Sequence, residues 1–393
     1  MRIFFVTNNY TPYCGGVISS ITATSDALRA QGHEVFIITL DFLGKNDKPQ
    51  AQSAIALATA DPDYVIRITC PIRFMYKKNH MAIPWRPTHA ITQLLKKYKP
   101  DIVHVHHPFL LGVSALRAAR ACGIPCIFTY HTLYEQYAHY VPLPSLCTKP
   151  LIRSAVKRFC NNVDGIIVPS NGIKEYLHSQ HITSPIQIIP SPLRSLFLSA
   201  RGNPSTSSGR AQRDQTADNF VLLVVSRFVP EKNIPFVFDV FKQLPHNFTL
   251  TLVGYGADYE ALQTLAFTTL QLSPERVQFV HKPAQDELLN HYRNADLFIF
   301  PSTTDTQGIV ITESMSQGLP VIALDGPGQR DTIINGTNGF IITDAAHAAA
   351  TIMTIAHDAA LHNRLITGAL ATAQRYHTDA ITAQLLNFYH MTI

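Results

Sequence analysis

The stretch DNFVLLVVSRFVPEKN, residues 218–233, runs through six consecutive apolar residues, Phe220 to Val225, and then turns abruptly polar at Ser226 and Arg227. A strand with one face in water alternates apolar and polar residues. An unbroken apolar run of this length instead describes a strand covered on both faces, the usual state of a parallel sheet flanked by helices. The same kind of run recurs as RIFFVT, EVFIIT, DIVHVH, CIFTYH, GIIVPS and IQIIPS before it, and as FTLTLVG, VQFVH, LFIFPS, PVIAL and GFIIT after it. Longer helical patterns separate these runs, so the chain reads as a doubly wound α/β architecture that occurs twice.

The two occurrences part at Ser191 to Asn219, where RGNPSTSSGRAQRDQTAD has almost no large apolar residue and cannot bury enough surface to order itself. The expected organisation is a first Rossmann-like domain over 1–190, a linker or surface excursion over 191–218, a second Rossmann-like domain over 219–375, and a last helix over 376–393. Periodicity leaves open whether that helix continues the second domain or crosses back to the first.

A chain of 393 residues is long enough for two cores. The apolar run in MRIFFVTNNY is too short for a signal-peptide core, and no stretch reaches membrane-spanning length. The six cysteines contain no C-x-x-C pair, which suggests neither a zinc site nor a disulfide framework and fits a reducing cytosol. Charge is split: residues 1–190 carry 19 Lys/Arg against 10 Asp/Glu, and residues 219–393 carry 9 against 15. A basic front half facing an anionic surface or substrate is the simplest reading. Nucleic acid is disfavoured, because the cations are not densely clustered and no glycine–aromatic signature accompanies them.

Doubly wound sheets bind ligands at the carboxyl ends of their strands, and the chemistry-bearing residues fall there. Gly15 and Gly16 follow the first strand and precede a helix starting near Val17, which suits close approach of an anion to a helix N-terminus or, equally, a tight turn without ligand. The spacing matches neither the dinucleotide nor the P-loop fingerprint. Arg227 and Lys232 project from the opening strand of the second domain and its loop; either alone would pair with Glu231 on the surface, but together they suit a diphosphate.

In TTDTQGIVITES, residues 303–314, Gly308, Ile309 and Val310 open a helix that Gly318 and Pro320 end, with Asp305 before it and Glu313 one turn past Ile309. Carboxylates repel phosphate but accept hydrogen bonds from sugar hydroxyls. Two acids, two cations and a helix N-terminus together describe a ligand with a central diphosphate and hydroxyl-rich rings on either side, a nucleotide sugar.

At these residues the chain resembles retaining glycosyltransferases of the GT-B fold, family 4, in which two Rossmann-like domains face each other across a cleft. The matching pieces are GGV at 15–17, TYHTLYEQY at 129–137, SRFVPEKN at 226–233, VGYG at 253–256 with Gly254, and the acid pair Asp305 and Glu313. The resemblance implies that Arg227 and Lys232 bind the donor diphosphate, that Glu313 binds the ribose, and that Asp305 with the Gly308 to Val310 backbone binds sugar and phosphates. It also implies that Gly16 closes on the phosphate and that His131 contacts the sugar near its reacting carbon. Glu313 and Lys232 are expected to touch only ligand. Members usually carry Glu at the first acid, so Asp305 is a departure that leaves the identity of the sugar open. The implied reaction is transfer with retention, helped by the departing phosphate, with no cofactor and no metal. His104, His106 and His107 then read as core or cleft-lining residues, since strand alternation divides them between faces and no carboxylate completes a ligand set.

The acceptor is signalled by YHTLYEQYAHYVPLP, with Tyr134 and Tyr137, and by Lys149, Arg153 and Lys157 recurring every four residues in the helix that follows. A basic amphipathic segment can dock on anionic lipid, or simply be a solvated face. The tyrosine-rich run is similar to that of bacterial enzymes that glucosylate diacylglycerol, which implies UDP-glucose as donor, a lipid acceptor, and a cytoplasmic enzyme peripheral to the inner face of an anionic membrane. The competing readings are the same chemistry on a soluble or polyprenyl-linked glycan, an epimerase or phosphorylase on the same fold, and a non-catalytic nucleotide-sugar-binding protein.

Overall fold

A computed structural model describes residues 1–11, 13, 15–42, 64–76, 79–136, 145–199 and 219–393. Its strands are β1 (Arg2–Val6), β2 (Glu34–Leu40), β3 (Val65–Ile68), β4 (Ile72–Tyr76), β5 (Asn79–Ile83), β6 (Ile102–Val105), β7 (Cys126–Thr129), β8 (Gly165–Val168) and β9 (Ile186–Ile188) in the first half. The second half contributes β10 (Phe220–Arg227), β11 (Phe248–Tyr255), β12 (Val277–His281), β13 (Leu297–Phe300), β14 (Val321–Leu324) and β15 (Gly339–Ile342). All twelve unbroken apolar runs are strands. The chain divides into one unit of Met1–Pro192 with Thr378–Ile393 and another of Leu193–His377.

In the first unit seven strands form a parallel sheet in the order β3-β2-β1-β6-β7-β8-β9, so the winding reverses between β1 and β6. Successive side chains point to opposite faces, and both faces are buried. Phe4, Val6, Val103, Val105, Phe128 and Ile166 enter one apolar cluster, while Ile3, Phe5, Ile37, Ile102, Ile127 and Ile167 enter another.

The last helix, Thr378–Thr392, closes that second cluster by inserting Ile381, Leu385, Phe388 and Tyr389. Gly165 at the start of β8 makes room for it: a Cβ there would lie 2.6 Å from the Phe388 ring. The Tyr389 hydroxyl is 2.7 Å from His104 Nδ1, and each of the four large side chains removed from water contributes about 1.5–3 kcal/mol.

The second unit holds a six-stranded parallel sheet, β12-β11-β10-β13-β14-β15, whose winding reverses between β10 and β13. It begins earlier than composition suggests. Leu193 and Phe197 are 2% and 1% exposed and sit in its core, because Leu193, Leu196 and Phe197 recur at helical spacing just before the polar stretch. Residues 200–218, most of the expected linker, lie outside the described residues. β3 and the separate antiparallel pair β4–β5 have no counterpart among the apolar runs.

Candidate active site

The carboxyl ends of β10 and β13 are adjacent strand ends where the second sheet reverses direction, the position at which open α/β sheets bind ligands. Three polar ties join the loops that follow. Ser302 Oγ donates to the Glu231 carbonyl at 3.2 Å, and Asn233 Nδ2 donates to the Pro301 carbonyl at 3.3 Å. Lys232 Nζ sits 2.6 and 2.7 Å from the two oxygens of Asp305, so the expected cation and the expected acid meet across the reversal. Asn233 takes a left-handed conformation (φ 51°), which Asn tolerates better than most residues, and so turns the loop into the next helix.

Burial alone would raise the Asp305 carboxyl. The Lys232 charge, hydrogen bonds from Lys232 and Ser302, and the Arg227 charge outweigh it and hold Asp305 below the usual carboxylate range. Arg227 ends β10 with its side chain 37% exposed and only a long 3.4 Å contact to Glu231 Oε1. Glu231 is itself nearly buried, and its Oε2 has no hydrogen-bond partner. The surface pair considered from sequence thus forms weakly, with its acid inside.

Gly308 starts the helix Ile309–Ser316 in the left-handed region (φ 72°), and a Cβ would press against the Ile311 side chain at 2.9 Å. Gly254, near the end of β11, passes the β10 backbone so closely that a Cβ would lie 1.8 Å from the Ser226 carbonyl oxygen. Both positions therefore require glycine for the fold, before any ligand is considered. Ile309 and Val310 form the first turn of that helix, where backbone N–H groups have no intrahelical acceptor.

Glu313 departs from expectation. It is 3% exposed, Oε1 accepts from Arg194 Nε at 2.7 Å, and Oε2 accepts from the Tyr292 hydroxyl at 3.3 Å. Neither Glu313 nor Lys232 touches ligand alone: both hold the protein together at this site. Arg194 lies in the stretch read as linker, and its guanidinium stacks on Phe197. Its signal was the apolar spacing around it rather than any motif.

In the first unit, His131 follows β7 and its Nε2 is 2.9 Å from Nδ1 of His106. The His104, His106 and His131 rings stack in sequence, with Phe5 against the edges of the first two. Burial pushes His104 down to about 3 and His107 to about 4, and lowers His106 and His131 well below the usual value, so the cluster is neutral. His106 Nε2 is buried without a partner. One of the two ring nitrogens in the His106–His131 contact donates and the other accepts.

Gly16 is the first residue of the helix Gly16–Ala30, capped by an extended Gly15 around which a Cβ would meet no atom within 4 Å. Among the described residues nothing demands glycine at Gly15. Of the acceptor residues, Tyr134 is 8% exposed with its hydroxyl buried and unpartnered, and Tyr137 lies outside the described residues. Arg153 is held by Glu135 at 2.9 Å, and Glu135 also accepts from the Tyr176 hydroxyl. Lys157 helps line a shallow crevice with Tyr130, Tyr134 and Tyr176, while Lys149 is exposed. Lys149, Arg153 and Lys157 therefore do not form one free basic stripe.

Residues 14–193 match the family model described as Glycosyltransferase Family 4, and residues 208–371 match Glycosyl transferases group 1. The chain is 31% identical to the alpha-monoglucosyldiacylglycerol synthase of Streptococcus pneumoniae over 83% of its own length and 72% of that protein. It is 26% identical to a GDP-mannose-dependent alpha-mannosyltransferase of Mycobacterium tuberculosis, over 87% and 84% of the two chains. Among solved structures, Anabaena HepE in complex with UDP-glucose superposes with a TM-score of 0.73 at 20% identity, covering both chains completely.

Proposed function

The chain belongs to the family 4 glycosyltransferases of the GT-B fold, and from that membership we propose that it transfers glucose from UDP-glucose to diacylglycerol or a related membrane lipid, with retention of configuration. The observation that carries the donor half is the meeting of Lys232 and Asp305, beside Arg227, where the second sheet reverses. A fixed cation already seated on a carboxylate, next to a more exposed guanidinium, is suited to exchange part of that pairing for an incoming diphosphate. The acceptor half rests on the synthase from Streptococcus pneumoniae as a relative.

In this reading the bond between the anomeric carbon and the β-phosphate oxygen breaks while the acceptor oxygen adds on the same face. The acceptor hydroxyl proton passes to the departing phosphate oxygen. Arg227 and Lys232 stabilise the charge that grows on that diphosphate, which is where fixed cations accelerate such a step. Asp305 accepts from a sugar hydroxyl, the Gly308 to Val310 backbone donates to phosphate, and Gly254 and Gly16 let main chain come close to the donor. Glu313, already fixed by Arg194 and Tyr292, acts on the ribose from a rigid position. His131, neutral, contacts the sugar near its reacting carbon. Tyr134, Tyr137, Lys149, Arg153 and Lys157 are assigned to the acceptor side. The site asks for no cofactor beyond the nucleotide sugar itself, and the enzyme works as a peripheral protein at the inner face of the membrane.

The mannosyltransferase relative favours one second reading, GDP-mannose as donor at the same site. Incubation with a panel of nucleotide sugars and diacylglycerol, with products identified by mass, separates the two. A hexosyl-diacylglycerol formed from UDP-glucose supports the proposal. Transfer only to soluble or polyprenyl-linked glycans, or nucleotide binding without any transfer, overturns it.

A further inference from the structure

Six large apolar side chains are exposed between residues 72 and 85: Ile72 54%, Phe74 48%, Met75 62%, Met81 39%, Ile83 44% and Trp85 71%. The antiparallel register of β4 and β5 pairs Ile72 with Ile83 and Phe74 with Met81. Pairs two residues apart share a face, so these four side chains form one apolar surface on the ribbon. The opposite face is anchored: Ala82 is 4% exposed, and Arg73 donates to Asp41 Oδ2 at 2.8 Å and to its carbonyl at 3.0 Å. A two-stranded ribbon is marginal unless its faces are packed, and among the described residues one large face here is exposed.

Charge identifies what covers it. Residues 64–100 contain eight Lys/Arg and no Asp or Glu. Arg86, Lys96, Lys97 and Lys99 of this segment are exposed. An apolar, aromatic surface in a segment with eight cations and no acid of its own matches acyl chains beneath anionic headgroups. A second copy of the chain would instead bring two such cationic segments together.

We propose that the β4–β5 ribbon and Trp85 dock the chain on an anionic lipid bilayer, an inference that rests on the lipid-acceptor reading for the presence of a membrane. Trp85 is the chain's single tryptophan, so its fluorescence reports the event directly. Phosphatidylcholine vesicles containing phosphatidylglycerol should shift Trp85 emission to the blue and allow quenching by brominated acyl chains; phosphatidylcholine alone should do neither. The double variant F74S/M81S, which changes only exposed side chains, should bind these vesicles about tenfold more weakly or worse. Its turnover on detergent-dispersed diacylglycerol should be unchanged. Vesicle binding that leaves Trp85 unshifted, or that F74S/M81S retains, overturns the inference while leaving the transferase reading intact. A blue shift that rises with protein concentration in the absence of lipid, together with a dimer in sedimentation, also overturns it. Wild-type docking with no transfer to diacylglycerol from any nucleotide sugar would sink the lipid-acceptor reading instead.

Discussion

Replacing Lys232 and Asp305 singly and together separates what the pair does for the fold from what it does for the donor. Both side chains are mostly covered, 14% and 20% exposed, and one ammonium reaches both carboxylate oxygens. Hydrogen bonds to charged groups of this kind are worth about 1.5–3 kcal/mol. Lys232→Met should therefore lower the protection of β10 and β13 amides in hydrogen exchange by roughly that amount, since it leaves Asp305 ionised without its partner. Asp305→Asn keeps the shape and should cost less, and the double variant should recover part of the loss, giving a coupling of about 1.5–3 kcal/mol. Because the folded-state carboxyl is depressed, this stabilisation is complete above the ordinary carboxylate value and disappears as pH falls through the lower folded value, so the coupling should vanish in strong acid. On the donor side, Asp305→Asn frees Lys232 and should tighten UDP while slowing transfer. Lys232→Met should slow transfer by about 10²–10³. Strict additivity of the two stability changes, or unchanged turnover in Lys232→Met, would refute the reasoning.

Glu313→Ala should destabilise the second unit by about 3–5 kcal/mol in thermal unfolding, because it strands Arg194 over a buried site, and the pair E313Q/R194M should restore much of that. His131→Ala should lower turnover by about 10–100-fold while UDP affinity, measured by calorimetry, changes less; equal losses would assign His131 to structure alone. His104 titrates near 3 when folded and near 6.5 when unfolded, so stability is full above the unfolded value and falls as pH drops below it. At pH 5 the loss from His104 alone should be about 2 kcal/mol, measured by urea unfolding, and His104→Phe should remove that share of the pH dependence while leaving the shares of His106, His107 and His131.

The sheets were legible because their strands are buried on both faces, and continuous runs such as FVLLVV and RIFFV have no other stable home. The hairpin β4–β5 was not, because its residues mix Arg, Met and Phe without an unbroken run, and its apolar face stays exposed among the described residues. At the site, Arg227, Lys232, Asp305 and Glu313 could be named from their places at strand and helix ends. Their mutual arrangement could not. The Lys232–Asp305 pair joins residues 73 apart in sequence and the Arg194–Glu313 pair residues 119 apart, separations at which no local pattern carries information. Arg194 was hidden further by the polar segment that follows it, and His106 by looking like one more strand residue.

The central claim is that the nucleotide diphosphate lies at the carboxyl ends of β10 and β13, and a crystal structure of the chain with UDP bound tests it most directly. The account predicts phosphate oxygens within hydrogen-bond distance of Arg227 and Lys232 and of the backbone at Gly308 to Val310. A diphosphate bound elsewhere, with Lys232 still held bidentately by Asp305, would contradict it.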